Sequence, residues 1–135
     1  MIHRLTKLLV IALGDRADVR VQLPLAVSDD SEPEPDVAVV ATADPFGGHP
    51  STALLVIEVA QSSLGKERGV KAGLYAAAGV AEYWIVDVTG GSVEVHRDPV
   101  RGRYSTMSTV GRGAVLKLVA LEGVAVDVTT ILPPG

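Results

Sequence analysis

The 135-residue sequence contains no cysteine. Disulfides, zinc ribbons and thiol nucleophiles are therefore excluded, and a reducing cytoplasm is the simplest setting for the chain. Aromatic residues make up only 4% of the sequence, which leaves few rings for a platform that stacks the bases of single-stranded nucleic acid. No apolar run reaches the length that crosses a bilayer. We therefore expect a cytoplasmic protein with no membrane partner.

The charge balance is slightly acidic, with 12 Lys and Arg against 16 Asp and Glu and a net charge of -4. The chain as a whole has no positive field that would hold phosphates, so nucleic-acid binding needs a local cluster of basic residues. The hydrophobic fraction of 47% is enough for a packed interior, and the length suits one domain. We expect a single domain over residues 1–135, with a core over about 2–97 and C-terminal strands over about 103–128.

Hydrophobic periodicity divides the chain into two helices and a series of strands. Apolar residues at spacings of three and four predict a first helix that ends at Gly14, and a second helix is predicted from about Lys66 to Ala78, before Gly79. Alternation predicts a half-buried strand over Val19–Val27. The other predicted strands cover residues 36–41, 54–60, 82–87, 92–97, 103–107 and 114–119.

Glu58 is the residue that most needs an explanation, because it interrupts the apolar run Leu54–Ala60. An ionised carboxylate inside a dry strand costs several kcal/mol unless a cation, a proton or a partner compensates it. Asp36 begins the preceding predicted strand, and pairing of the two strands would bring both carboxylates to one end of the sheet. A hard divalent cation such as Mg²⁺ relieves the repulsion of two such carboxylates. The pair therefore predicts a site for Mg²⁺ or Mn²⁺.

Two further residues complete the predicted site. Lys71 lies on the second helix, on one face with Arg68 and Tyr75, and its ammonium group could stabilise charge or orient water. Gln61 follows the Glu58 strand and could hydrogen-bond water or substrate. A metal held by two carboxylates beside a cation suits phosphodiester hydrolysis. An ion pair of Glu58 with Lys71 or Arg68, without any metal, remains an alternative.

Three sequence blocks stand out by their order and spacing. They are Glu34–Val40 (EPDVAVV), Leu55–Ser63 (LVIEVAQSS) and Lys71–Asp87, in which the informative positions are Lys71, Tyr75, Gly79, Val80 and the run Glu82–Asp87 (EYWIVD). Together these blocks resemble the Uma-two family of restriction endonuclease-like proteins, which belongs to the PD-(D/E)XK nuclease-like superfamily. The resemblance covers roughly residues 3 to 97.

The resemblance implies an α/β fold with a restriction-endonuclease-like core, a central mixed β-sheet flanked by helices, and a strand-rich C-terminal extension. It also implies that Asp36 and Glu58 are metal ligands, that Lys71 is the catalytic lysine moved onto the helix, and that Gln61 lies near the site. DNA is the substrate that it implies. The expected function is a Mg²⁺-dependent nuclease.

Two departures from the superfamily pattern support a second hypothesis. The residue two positions after Glu58, where many of these nucleases carry Lys, is Ala60. The chain also begins inside the first helix, whereas the family usually has more residues before it, so an open or incomplete site is expected. The second hypothesis is a catalytically degenerate protein that keeps the nuclease fold and acts as a binding or scaffolding module.

The remaining aromatic and basic residues have simpler interpretations. Tyr75, Tyr83 and Trp84 are expected to fill the core or a subunit contact. The arginines of the predicted hairpin could contact phosphates or simply keep its tip solvated. The C-terminal strands should extend the sheet or pair with a second copy, and because open strand edges invite association we expect a homodimer. The basic residues in question are Arg97, Arg101, Arg103 and Arg112.

Overall fold

A computed structural model describes residues 2–28, 30–42, 49–60 and 65–134, and for residues 65–68 it describes the backbone alone. The elements follow the order predicted from the sequence: a helix, three strands, a helix, and then a run of strands. Their bounds are α1 Ile2–Leu13, β1 Ala17–Val21, β2 Val37–Ala41, β3 Leu55–Ala60, α2 Gly65–Ala77, β4 Glu82–Asp87, β5 Ser92–Val100, β6 Arg103–Gly111, β7 Val115–Lys117, β8 Ala125–Asp127 and α3 Val128–Ile131.

Six strands form one sheet in the order β1-β2-β3-β4-β5-β6. Neighbouring strands are antiparallel except β3 and β4, which run parallel. A parallel pair needs a crossover connection, and α2 supplies it. The sheet is therefore mixed and carries helices, as the α/β prediction stated.

The alternation of side chains along β3 separates two apolar layers. Leu55 and Ile57 face the layer that holds α1 and the C-terminal segment, whereas Val56 faces the layer that holds Tyr75 of α2. Because successive strand residues point to opposite faces, Glu58 lies on the α2 face. Strand β3 thus contributes side chains to the apolar layers on both faces of the sheet, which explains its nearly continuous apolar sequence.

The ends of the helices match the sequence pattern, and the first strand does not. Gly14 adopts a φ of 55° directly after α1, and Gly79 a φ of 78° after α2, a backbone conformation that glycine adopts without a steric penalty. The predicted strand Val19–Val27 is too long. The strand ends at Val21, because Gln22 has a φ of 51°, and the alternating apolar residues beyond it belong to irregular chain.

The C-terminal strands extend the sheet, with β5 and β6 at its end, while β7 and β8 form a separate pair. The segment after β7 is fastened to the sheet by Glu82, which is 0% exposed. Its carboxylate accepts hydrogen bonds from Trp84 Nε1 at 2.7 Å, Arg97 Nε at 2.9 Å and the Val119 backbone N–H at 3.0 Å. Arg97 Nη2 also donates to the Lys117 carbonyl at 2.9 Å. A buried charge and its cation thus join β4, β5 and the C-terminal segment.

None of the helices in the described part of the chain is long and apolar enough to span a membrane.

Candidate metal and catalytic site

Asp36 and Glu58 occupy facing positions on neighbouring chain segments. The antiparallel register pairs Val37 with Ile57, so one step further places Asp36 opposite Glu58, on the same face of the sheet. The Val59 backbone N–H donates to Asp36 Oδ2 at 2.8 Å, which fixes the Asp36 side chain against β3. The two residues therefore lie on one face of the sheet, at one end of the β2–β3 pair.

The Glu58 carboxylate is surrounded by hydrogen-bond donors, and its side chain is 13% exposed. Tyr83 of β4 donates its hydroxyl to Glu58 Oε2 at 2.8 Å, and Tyr75 of α2 donates to Oε1 at 3.2 Å. Lys71 Nζ lies 3.3 Å from the same Oε1. The charge that interrupts the apolar run is thus compensated by one cation and two phenols.

Helix α2 positions Lys71 and Tyr75 together because residues four apart lie one above the other on a helix face. The Lys71 side chain is 48% exposed, so its ammonium group reaches solvent as well as Glu58. The Tyr75 ring is fully buried, and its centroid lies 5.0 Å from that of Tyr83. The helix therefore places a half-exposed cation at the mouth of the site and a buried phenol inside it.

The two phenols are held in the protonated form. Burial is the main cause that raises the pKa of both Tyr75 and Tyr83 far above the ordinary value of about 10. The negative charge of Glu58 and its hydrogen bond to each hydroxyl raise both pKa values further. The charge of Asp36 also raises the pKa of Tyr75.

The structure brings together three of the four residues predicted for the site: Asp36, Glu58 and Lys71. The fourth, Gln61, lies outside the described residues, as does the side chain of Arg68. Sequence reasoning assigned the two phenols to the core, and both are buried, but it missed their hydrogen bonds to Glu58. The four-residue spacing from Lys71 to Tyr75 was the one signal that could have indicated the first of these contacts.

A row of rings continues from the Glu58 site along the sheet. The His96 ring of β5 stacks on Tyr83 at 5.7 Å between centroids and lies 5.8 Å from Tyr104 of β6. His96 Nε2 lies 2.7 Å from Glu94 Oε1, and Tyr104 donates its hydroxyl to the Val80 carbonyl at 2.7 Å. A cavity of about 290 Å³ opens between this row and α2.

The basic residues of the hairpin do not form one patch. Arg97 is bound to the buried Glu82, and Arg112 donates to the Pro133 carbonyl. Arg103 lines the cavity beside α2, and its side chain makes no hydrogen bond or ion pair with another described residue. Arg101 is exposed at the hairpin turn. Arg97 and Arg112 are therefore engaged elsewhere, whereas Arg101 and Arg103 line one shallow cavity, and Arg103 is the member that also lies beside the aromatic row.

The mixed sheet with α2 across its parallel pair, and the facing carboxylates beside a lysine, define a protein with a nuclease-like fold. The chain belongs to the Uma2, or Uma-two, family, whose sequence model, described as "Putative restriction endonuclease", matches residues 2–129. The family named from the sequence blocks is thus confirmed.

A solved structure has the same fold. It is described as a putative nuclease belonging to DUF820 from Anabaena variabilis ATCC 29413, and it superposes with a TM-score of 0.76 at 12% sequence identity. The match covers 96% of this chain and 76% of that chain. None of the curated proteins is significantly similar to this chain in sequence.

Proposed function

We propose that this protein is a nuclease that hydrolyses phosphodiester bonds in DNA with the help of Mg²⁺ or Mn²⁺. The observation that carries the proposal is the facing pair of Asp36 and Glu58, which the register and the Asp36 hydrogen bond place on one face. Membership of a family whose description is "Putative restriction endonuclease" supports the same reaction. Asp36 and Glu58 are the proposed metal ligands.

The residues fit a hard divalent cation. Asp36 Oδ1 makes no hydrogen bond to any described residue, and the Glu58 oxygens have lone pairs beyond those used by their three donors. No group of three or more acidic, histidine or cysteine side chains suited to a metal occurs in the described ranges. Two carboxylates are sufficient for Mg²⁺, which keeps several waters and takes further oxygens from substrate phosphates.

The metal, when bound, would polarise the phosphodiester and lower the pKa of a bound water. Lys71 is half exposed and ion-paired with Glu58, and we propose that it stabilises the negative charge that develops on the phosphate. Gln61 is proposed to hydrogen-bond the attacking water or the substrate. These assignments give each of the four predicted residues one role.

Tyr75 and Tyr83 act as positioning residues in this proposal. Their pKa values are raised well above the usual range, so at neutral pH they donate hydrogen bonds and do not serve as bases. Two buried donors hold the Glu58 carboxylate toward Asp36 and compensate its charge before a cation arrives. The side chains of the site are therefore positioned before the metal binds, and such positioning favours both binding and catalysis.

The second candidate is a binding module that has kept the fold and lost the reaction. Ala60 stands where many related nucleases carry lysine, and Lys71 already forms an ion pair with Glu58. A cation used to neutralise a half-buried carboxylate is less available to a phosphate. This candidate predicts nucleic-acid binding without turnover.

Cleavage of DNA by the purified protein tests the proposal. We expect Mg²⁺- or Mn²⁺-dependent cleavage of duplex or single-stranded DNA that the Glu58→Gln variant abolishes. Glu122→Gln removes an exposed loop carboxylate and should leave cleavage unchanged. Binding of DNA without cleavage by the unmodified protein would favour the second candidate instead.

We further propose that the protein acts in the cytoplasm as a homodimer. The absence of cysteine fits a reducing compartment. The outermost strand β6 pairs only with β5 in the sheet, and most of its residues are exposed. Open edges of this kind associate readily, and two-fold pairing is the commonest closed arrangement.

A further inference from the structure

The cavity beside the aromatic row has walls from two elements. Gly69 and Gly73 of α2 form one side, and His96, Arg103 and Tyr104 of the β5–β6 hairpin form the other. Its volume of about 290 Å³ lies at the lower end of the range for small-ligand pockets. The cavity therefore suits a compact group with its waters.

The polar groups that line the cavity favour an anion. Arg103 carries a permanent charge and has no hydrogen-bond or ion-pair partner among the described residues, so its five N–H donors are available to a ligand. His96 Nε2 is occupied by Glu94 at 2.7 Å, which leaves Nδ1 as the ring nitrogen that can meet a ligand.

The cavity adjoins the proposed metal site. Tyr83 joins the two, since its hydroxyl bonds to Glu58 at 2.8 Å and its ring stacks on His96 at 5.7 Å. The register aligns Glu58 with Ile85 and Ile85 with Glu94. Two strand spacings of about 4.8 Å then separate Glu58 from Glu94, roughly 10 Å. A polyanion that crosses the metal site can therefore reach the cavity as well.

We propose that the cavity binds a phosphate group of the nucleic acid strand, with Arg103 as the ion-pair partner, in the space that the rings of His96 and Tyr104 border. This phosphate is a neighbour of the one that is hydrolysed. The proposal rests on the proposed function for the identity of the polyanion. The contacts themselves need no metal, so binding is measured without one.

Oligonucleotide binding in the absence of divalent cations tests the site. A short single-stranded DNA is titrated into the unmodified protein and into Arg103→Gln, with Arg101→Gln as the matched control that removes the same charge two residues earlier. We expect Arg103→Gln to weaken binding about tenfold, the effect of losing one charged contact, and Arg101→Gln to weaken it less than about twofold. Equal losses in the two variants would overturn the proposal.

A second variant fills the cavity without removing charge. A Cβ at Gly69 would meet no atom within 4 Å, so Gly69→Leu should fold, and replacing a helical glycine favours the helix. We expect it to weaken oligonucleotide binding about as much as Arg103→Gln does. Unchanged binding in a folded Gly69→Leu would also overturn the proposal.

Inorganic phosphate distinguishes the source of the ligand. The proposal expects weak phosphate binding that Arg103→Gln abolishes, and much tighter binding of the oligonucleotide at the same residue. Equal affinity for inorganic phosphate and for the oligonucleotide would mean that the cavity binds free phosphate. That result would overturn the proposal that it binds a phosphate of the nucleic acid. If the Arg103-specific binding holds while the protein cleaves no DNA, the cavity proposal stands and the nuclease proposal fails.

Discussion

The Tyr83 hydroxyl donates a hydrogen bond to Glu58 Oε2 across 2.8 Å, from one strand of the parallel pair to the other. This contact accounts for a charged residue in the middle of an apolar strand. It also connects the proposed metal site with the aromatic row that leads to the cavity. Glu58 therefore accepts hydrogen bonds from two buried phenols on its inner side and forms an ion pair with Lys71 on its solvent side.

Removal of the Tyr83 hydroxyl should destabilise the fold. A hydrogen bond to a charged acceptor contributes about 2 kcal/mol, so Tyr83→Phe should lower the free energy of unfolding by about that amount. Tyr75→Phe removes a longer contact of 3.2 Å and should cost about half as much. Urea unfolding followed by the fluorescence of Trp84, the single Trp of the chain, measures both. A Tyr83→Phe variant as stable as the unmodified protein would contradict the role given to this contact.

The three tyrosines should not ionise while the protein is folded. Burial is the main cause that raises the pKa of Tyr75, Tyr83 and Tyr104 above the ordinary value of about 10. The folded state therefore binds these protons more tightly than the unfolded state. The resulting stability is fully present below about pH 10 and is lost as the pH rises beyond it.

The ultraviolet absorbance of tyrosinate checks this expectation, with the urea-denatured protein as the control that titrates near pH 10. Tyrosinate should appear in the native protein only together with loss of the native fold. A tyrosine that ionises near pH 10 in protein that remains folded would contradict it.

The buried Glu82 should contribute more to stability than any surface charge. Glu82→Ala leaves Arg97, the Trp84 indole N–H and the Val119 N–H without their acceptor. Removal of one partner of a buried ion pair costs about 3 kcal/mol or more. Arg101→Gln changes an exposed charge and should cost less than about 0.5 kcal/mol. Thermal unfolding of the two variants measures the contrast, and equal midpoints would refute the role of Glu82.

The proposed dimer should depend on the outer edge of the sheet. Met107 lies on β6 and is 59% exposed, and Val115 on β7 is 58% exposed. We expect Met107→Lys to convert the dimer to a monomer, because pairing of two β6 edges would bring the added positive charges close together, while Val115→Lys leaves the dimer intact. Light scattering gives the mass of each. A monomeric unmodified protein would rule out the dimer.

The sequence was sufficient for the order of the elements and for the meeting of Asp36 with Glu58. Apolar periodicity determines which segments pair, and a charge within an apolar run marks a site. The turn at Gln22 could not be predicted, because glutamine rarely adopts a positive φ. β8 lies within the predicted C-terminal strands but was given no bounds of its own, and α3 was missed, because three or four residues are too few for a periodic pattern.

Contacts between side chains that are far apart in the sequence were the part of the site that was hardest to predict. Tyr83 follows Glu58 by 25 residues, and only the parallel pairing of β3 with β4 brings them together. Arg97 and Arg103 are both arginines of the β5–β6 hairpin, yet Arg97 is bound to Glu82 and Arg103 lines a cavity. Arg103 pairs with Val100, an odd number of residues from Arg97, so regular alternation places the two arginines on opposite faces of the hairpin.

Calorimetric titration of Mn²⁺ into the protein tests the central proposal most directly. The unmodified protein should bind Mn²⁺, and Asp36→Asn and Glu58→Gln should each weaken that binding at least about tenfold while the fold is kept. Asp98→Asn, which changes an exposed carboxylate of β5, is the matched control and should bind as the unmodified protein does. Mn²⁺ affinity that is the same in all four proteins would contradict a metal site at Asp36 and Glu58.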